Sequence, residues 1–228
     1  MFNDRYGLTQ AVLEGRKSQT RRIVYMQNGF VVFDGEDFQL KKLDNGQALL
    51  TLCNNRFKTA RYKIGETIAI AQKYEDLIKN DEFYRLCGKN GMPLECIKYE
   101  KGCTNKMFVR ADLMPHHIRI TNIRLERLQD ISEKDCLAEG IWEAHDVGLE
   151  GVTYWYTGLA NSPYITAREA YAALIDKISG KGTWDSNPYV FVYDFETVSL
   201  PVTAYPVCFS DRRRNGGVDM KINKDDII

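Results

Sequence analysis

The sequence has no excess of charge of either sign, because 31 lysines and arginines are matched by 31 aspartates and glutamates among its 228 residues. A protein that binds nucleic acid by bulk electrostatics needs a surplus of positive charge. The balance therefore excludes a histone-like protein or a polybasic arm. It does not exclude a local basic pocket, since a sum says nothing about where the charges lie.

The sequence also lacks a long apolar run and a signal-peptide pattern. Its longest apolar stretches, such as residues 189–193, are far shorter than the ~20 residues that a membrane-spanning helix needs. The first ten residues, MFNDRYGLTQ, contain no basic segment followed by an apolar one. We therefore expect a cytoplasmic protein with no membrane partner. Its 44% hydrophobic and 27% charged residues are typical of a globular protein.

The six cysteines include no C-x-x-C pair, and the chain is longer than the small secreted proteins that depend on disulfides. Three of them, Cys87, Cys96 and Cys103, lie close together in sequence, with His116 and His117 downstream. A zinc site there would need spacings unlike the usual short ligand loops. We expect buried or incidental thiols and no cofactor. An accessory protein with a zinc-stabilised insertion is the alternative.

Three helices are indicated by their termini. Thr9 as N-cap and Gly15 as terminator predict a short helix over residues 10–14. Ser132 begins a capping box for a helix that ends at Glu139, before a glycine. A longer helix follows the capping box of Thr166 and Glu169, with apolar residues at helical spacing.

The strands are indicated by turn signals and apolar patterns. Two dipeptides, Asp34-Gly35 and Asn45-Gly46, separate residues 30–33, 37–43 and 47–52, which predicts a three-stranded meander. Further strands are predicted over residues 64–74 and 117–128. The apolar phase of the latter changes near residues 121–122, which indicates a bulge or a barrel corner. Residues 189–198, YVFVYDFETV, are apolar on both faces, as in a central strand.

These elements predict an α+β fold: a small curled β-barrel with short flanking helices and inserted β-hairpins. We expect one domain over residues 1–197, with insertions at about 29–61 and 75–106. Residues 198–228 are predicted to be a partly flexible C-terminal extension.

The densest functional signal is the sequence G-R-K-S-Q-T-R-R at residues 15–22. Four cations in seven residues, with two hydroxyls and an amide among them, indicate an anion site. The alternative is a solvated charge run. A buried arginine in the strand that follows would need a carboxylate or a phosphate partner. The arginines at 119, 124 and 127 either form a second basic face or pair with Glu126 and Asp130.

Several blocks of the sequence together resemble the ASCH domain of the PUA-like barrel superfamily, in its long phage and prophage form. They are G-R-K-S-Q-T-R-R-I, R-I-T-N-I-R-L-E-R-L-Q-D-I-S-E-K-D-C-L-A-E-G-I and G-T-W-D-S-N-P-Y-V-F-V-Y-D-F-E. The matching regions, residues 1–24, 64–74, 107–142 and 171–197, cover over half of the chain in the expected order. The resemblance implies a PUA-like barrel whose cleft binds RNA or a modified nucleoside or nucleotide.

Some small ASCH proteins are amidohydrolases that deacylate acetylcytidine. Their functional residues correspond to Lys17, Thr20 and Glu139 here, with Ser18 in place of a threonine. Thr20 would attack the acetyl carbonyl if a neighbour took its proton. Lys17 would act as base only if its pKa fell from ~10.4 toward neutrality. Glu139 would position the amine or protonate the leaving group. The alternative is that all three residues have ordinary structural roles.

The leading interpretation is therefore binding of RNA or a modified nucleoside, with a metal-independent amidohydrolase as the alternative. The expected ligand-binding residues are Arg16, Ser18, Arg21, Arg22, Tyr74 and Trp142. Two of these, Tyr74 and Trp142, would stack on a base, a contact worth ~1–3 kcal/mol.

Overall fold

The computed structural model of the protein describes residues 2–26, 29–30, 38–52, 57–145, 152–156 and 163–198. The strands in these ranges are β1 Gln19–Ile23, β2 Tyr25–Met26, β3 Gly29–Phe30, β4 Phe38–Lys42, β5 Gln47–Leu52, β6 Phe57–Lys63, β7 Thr67–Ala69, β8 His117–Arg127, β9 Trp142–His145, β10 Val152–Trp155 and β11 Tyr189–Val198. The α-helices are α1 Leu8–Leu13, α2 Tyr74–Leu77, α3 Asp81–Lys89, α4 Glu133–Ala138, α5 Ala167–Ser179 and α6 Thr183–Ser186. Short 3-10 helices connect several of them.

The principal sheet is curled, antiparallel and four-stranded, with the order β1-β11-β8-β7, and it forms a half-barrel. Its strand β11 lies between β1 and β8 and is buried on both faces, as its apolar sequence predicts. In β8 the buried positions change phase between Ile120 and Ile123. The mixed fold with a curled sheet is therefore confirmed, whereas the PUA-like assignment stays a prediction.

The three predicted helices are present, with one difference at the N-terminus. Ser132 and Thr166 cap α4 and α5 through their side chains, as predicted. The first helix begins at Leu8, earlier than predicted, after Gly7 in a left-handed conformation. The Thr9 hydroxyl instead donates to the Asp4 carboxylate, at 2.6 Å, so Thr9 is not the N-cap. Gly15, with φ of 75°, follows the helix where a left-handed residue is needed.

The predicted meander is a three-stranded sheet, but its strands are β4, β5 and β6. The turn at Asn45-Gly46 joins β4 to β5, as predicted. The other predicted turn, Asp34-Gly35, lies outside the described residues. Sequence reasoning missed β6, in which Ala60 and Tyr62 are buried between exposed polar neighbours.

The predicted strand over residues 64–74 is shorter than expected, because β7 ends at Ala69 and α2 begins at Tyr74. The region after it was predicted to be irregular. It contains α3, whose Asn80 cap and buried Phe83, Leu86 and Cys87 follow helical spacing. Polar residues around these three apolar positions hid the helix in the sequence.

The chain divides into two compact units. In the described part, the first unit is built mainly from residues 67–118, and the second from residues between 3 and 66 and between 119 and 197. The first unit has an apolar core that includes Tyr74, Phe83, Leu86 and Met114. None of the helices in the described ranges combines the length and apolar character that spanning a membrane requires.

Candidate functional site

Two of the predicted catalytic residues, Lys17 and Glu139, meet in the second unit. Lys17 lies between α1 and β1, and its amide donates to the Ala11 carbonyl at 2.9 Å. The next amide, of Ser18, donates to the Ala138 carbonyl at the end of α4, also at 2.9 Å. These backbone bonds place Lys17 beside Glu139, the C-cap residue of α4.

The contact between Lys17 and Glu139 is short and buried. The Nζ atom of Lys17 lies 2.5 Å from Oε2 of Glu139 and 2.8 Å from its carbonyl oxygen. Only 2% of Lys17 and 5% of Glu139 is exposed. Burial lowers the pKa of Lys17, because removal from water disfavours its charge, while the Glu139 carboxylate acts in the opposite direction. The lysine is therefore a buried amine with a lowered pKa, held by two acceptors of one residue.

Arg21 reaches the same carboxylate from the strand. Its Nη1 atom lies 3.1 Å from Oε1 of Glu139, and its Nη2 atom lies 2.6 Å from Oε1 of Glu126 on β8. Burial opposes the charge of Arg21, but Glu139 and Glu126 outweigh it, so the pKa of Arg21 is raised. Burial, together with the charge of Glu139, also raises the pKa of Tyr171, whose ring centroid lies 6.0 Å from the guanidinium carbon.

More polar residues extend this cluster along the sheet. Gln19 donates to Asp135 on α4 at 2.8 Å, and Arg124 donates to Asp194 on β11 at 2.8 Å. Arg124 also pairs with Glu126 and Asp135. We call the paired residues the ion network; its three cations and four carboxylates are Lys17, Arg21, Arg124, Glu126, Asp135, Glu139 and Asp194.

The charge of the ion network differs from what a basic motif suggests. Carboxylates outnumber cations by one, so the network supplies its own counter-charge and offers no surplus cation to an anion. A buried arginine was expected to pair with either a carboxylate or a phosphate, and here its partners are carboxylates. Arg119 and Arg124 of β8 are likewise paired, so they form no free basic face.

Thr20 does not join Lys17 and Glu139. Side chains alternate along a strand, so Thr20 projects from the face of β1 opposite to Gln19 and Arg21. It lies directly across from Tyr193 in β11 and is buried. Ser18, just before the strand, is exposed. The arrangement therefore joins the predicted base and acid and leaves the predicted nucleophile on the other side of the strand.

Arg22 is the one cation of the basic motif that has no carboxylate partner among the described residues. Arg16 pairs with Glu14 at 2.6 Å, and Lys17 and Arg21 belong to the ion network. Arg22 is partly exposed and lines a surface pocket of about 170 Å³. We call this the Arg22 pocket; its lining is Arg21, Arg22, Ile23, Tyr25, Leu128, Ile175, Ser179 and Val190.

Two predicted stacking residues lie elsewhere. Tyr74 belongs to the first unit, where it is buried against Phe83 and its hydroxyl accepts from the Arg110 amide at 2.8 Å. Trp142, on β9, is 52% exposed and does not line the Arg22 pocket. The aromatic residue at this pocket is Tyr25, which is 48% exposed.

The cysteines and histidines form no metal site in the described ranges, where no group of three or more His, Cys, Asp or Glu could hold an ion. Cys87 is buried, Cys96 is exposed and Cys103 is intermediate. Burial lowers the pKa of both His116 and His117, which keeps them neutral.

Sequence reasoning missed Asp135, Asp194 and Tyr25. The sequence contains a signal for each of the two aspartates. Asp135 and Glu139 are four residues apart and so share one face of α4. Asp194 interrupts the apolar run of the central strand, where a charge needs a partner. No comparable pattern marks Tyr25.

Comparison with known proteins gives no identification. No family model, no curated protein and no solved structure matches the chain.

Proposed function

We propose that this protein binds RNA or a modified nucleotide, with the Arg22 pocket as the contact. The observation that carries the proposal is the difference between Arg22 and the other three cations of the basic motif. Those three already have carboxylate partners, whereas Arg22 has none in the described ranges and lines a pocket.

The charges favour an anion at Arg22 over one in the ion network. Arg21 also lines the Arg22 pocket, but Glu126 and Glu139 already neutralise its guanidinium. Arg22 has no such partner in the part of the chain that the structure describes, and a bidentate arginine–phosphate contact is among the strongest hydrogen-bonded pairs.

The remaining lining suits a nucleobase. Tyr25 presents an exposed ring, and Ile23, Leu128 and Ile175 supply apolar surface. A pocket of this small volume accommodates part of a nucleotide and not a folded polymer. Stacking on an aromatic ring contributes about 1–3 kcal/mol per base and tolerates any base. The resemblance of several sequence blocks to the ASCH domain supports the same class of ligand.

The test is equilibrium binding of a fluorescein-labelled single-stranded RNA, followed by anisotropy at about 50 and 200 mM salt. We expect measurable affinity at low salt that falls as salt rises, since each neutralised phosphate contributes about 0.7 to the slope of log K against log salt. Arg22→Ala should weaken binding and reduce the slope by about that amount.

The matched control is Arg119→Ala, which removes an exposed arginine from the same unit. Arg119 pairs with Glu196 on the surface and does not line the Arg22 pocket. The control should bind like the unmodified protein. If the protein does not bind RNA at low salt, or if Arg22→Ala binds equally well, the Arg22 pocket is not the contact.

A second candidate is a metal-independent amidohydrolase that deacylates acetylcytidine-type nucleosides. The observation that favours it is the buried Lys17–Glu139 pair, because the lowered pKa of Lys17 moves it toward the range of a general base. The placement of Thr20 weighs against it, since Thr20 projects from the face of β1 opposite to Arg21, which shares the Glu139 carboxylate with Lys17.

The two candidates are separated by incubation with acetylcytidine and chromatographic detection of cytidine. Thr20 attack on the acetyl carbonyl would release cytidine, and water would then free acetate from the threonine ester. If the unmodified protein forms cytidine and both Thr20→Ala and Lys17→Met do not, the protein is an amidohydrolase and the binding-only function is wrong. Absence of turnover by the unmodified protein leaves the binding function.

A further inference from the structure

A second pocket lies in the same unit, outside the ion network and the Arg22 pocket. It has a volume of about 260 Å³ and is lined by Arg5, Tyr6, Tyr156 and Lys177. The two tyrosine rings meet edge to face with centroids 6.1 Å apart, and Tyr164 packs on Tyr156 at 5.8 Å. The pocket thus has an aromatic wall and two cations.

Both cations are exposed, and neither has a carboxylate partner in the ranges that the structure describes. A lysine in the last turn of a helix interacts favourably with the helix dipole, so Lys177 alone would not indicate a ligand. Arg5 comes from a different element, the 3-10 helix Asp4–Tyr6. Its guanidinium carbon lies 5.8 Å from the Tyr6 ring centroid. Two unpaired cations from separate elements at one concave surface favour an anionic ligand.

The geometry of α5 relates this pocket to the Arg22 pocket. Ile175 and Ser179 line the Arg22 pocket, and Lys177 lines the second one. Residues four apart share a helix face, whereas a residue midway between them points to the opposite side. The C-terminal turn of α5 therefore separates the two pockets, and each pocket has a tyrosine and at least one cation without a carboxylate partner among the described residues.

We infer that the two pockets bind successive parts of one single-stranded RNA that crosses the C-terminal turn of α5. This inference rests on the proposed function and narrows its ligand to a polynucleotide strand. The Arg22 pocket contacts one phosphate and its base, and Arg5 and Lys177 contact a phosphate farther along the strand. A mononucleotide has one phosphate, so it cannot occupy both pockets with phosphates at once.

The test compares a mononucleotide with a single-stranded hexanucleotide, for the unmodified protein, Arg22→Ala and the double variant Arg5→Ala/Lys177→Ala. We expect the double variant to bind the hexanucleotide about tenfold more weakly at low salt, with a salt slope reduced by about 0.7 for the one lost phosphate contact. Its affinity for the mononucleotide should be unchanged. Arg22→Ala should weaken the binding of both ligands.

The matched control is Arg119→Ala/Lys58→Ala, which removes one arginine and one lysine from exposed positions of the same unit. Thermal unfolding of each variant shows whether it is folded. If the double variant at Arg5 and Lys177 binds the hexanucleotide as the unmodified protein does, the second pocket does not contact the RNA. The proposed function then still stands on Arg22. If the unmodified protein binds neither ligand, both proposals are overturned.

Discussion

Arg21 and Arg22 are neighbours in the sequence, yet they differ in burial and in their carboxylate partners. The Arg21 side chain is 1% exposed and pairs with Glu126 and Glu139, whereas Arg22 is partly exposed and has no carboxylate partner in the described ranges. Both residues line the Arg22 pocket, so the difference between them lies in their carboxylate partners. The basic motif therefore has a structural part, in which Lys17 and Arg21 connect the start of β1 to α4 and β8, and one arginine, Arg22, that is available to a ligand.

The largest change in the free energy of unfolding is expected from substitution of Arg21. Arg21→Ala should lower the free energy of unfolding by about 3–5 kcal/mol, because it leaves buried carboxylates without their counter-charge. Arg22→Ala should change it by about 0.5 kcal/mol or less, as for other substitutions away from buried networks. Urea unfolding of the two variants measures both values. Equal losses would show that the two arginines do not differ in structural role.

A smaller effect is expected at Lys17. Lys17→Met keeps the length of the side chain but removes two hydrogen bonds to Glu139. Arg21 still faces that carboxylate, so the expected loss is about 1.5–3 kcal/mol, the range for hydrogen bonds to charged groups. The same urea titration measures it. A variant as stable as the unmodified protein would mean that Lys17 contributes no net stability through Glu139.

The pH dependence of stability tests the structural part of the comparison at Asp135, a carboxylate of the ion network. Burial acts to raise the pKa of Asp135, but hydrogen bonds from Gln19 and Ser132 and the charges of Arg124 and Arg21 outweigh it and hold the pKa below its ordinary value. A carboxyl group with a lowered folded-state pKa stabilises the fold above its unfolded-state pKa. That stability is lost as the pH falls through the folded-state value.

Asp135→Asn should therefore be less stable than the unmodified protein near neutral pH, and the difference should shrink in acid. Thermal unfolding of both proteins between neutral pH and about pH 3 gives the comparison. A difference that stays constant over this range would show that the Asp135 charge does not contribute.

The smallest effect is expected at the surface pair of Arg119 and Glu196, whose side chains are about half exposed. Glu196→Ala should cost about 0–1 kcal/mol, and less at high salt, because water and ions screen an exposed pair. Urea unfolding at two salt concentrations measures it. A loss as large as that of Arg21→Ala would remove the distinction between buried and exposed pairs.

The sequence predicted local features more accurately than long-range contacts. Ser132 and Thr166 marked the starts of α4 and α5 because a capping side chain acts within three residues. The Asn45-Gly46 turn marked one hairpin for the same reason. By contrast, β6 and α3 were missed, since their apolar residues are few and only burial against other elements reveals them.

The candidate site shows the same limit. The basic motif and Glu139 could be recognised in the sequence, but which cation meets which carboxylate depends on the pairing of β1 with β11 and on the position of α4. Asp194 on β11 pairs with Gln19 on β1, although the two residues are 175 positions apart in the sequence. Tyr25 became a candidate only through its exposure beside Arg22.

The most direct test of the central claim is the thermal unfolding of Arg22→Ala with and without a saturating single-stranded RNA. A ligand that binds only the folded state raises the melting temperature, and the increase grows with the logarithm of the ligand concentration divided by its Kd. We expect Arg22→Ala to melt with the unmodified protein when RNA is absent and to lose most of the RNA-dependent increase. An undiminished increase in Arg22→Ala, or a large loss of its stability without RNA, would contradict the division of the basic motif.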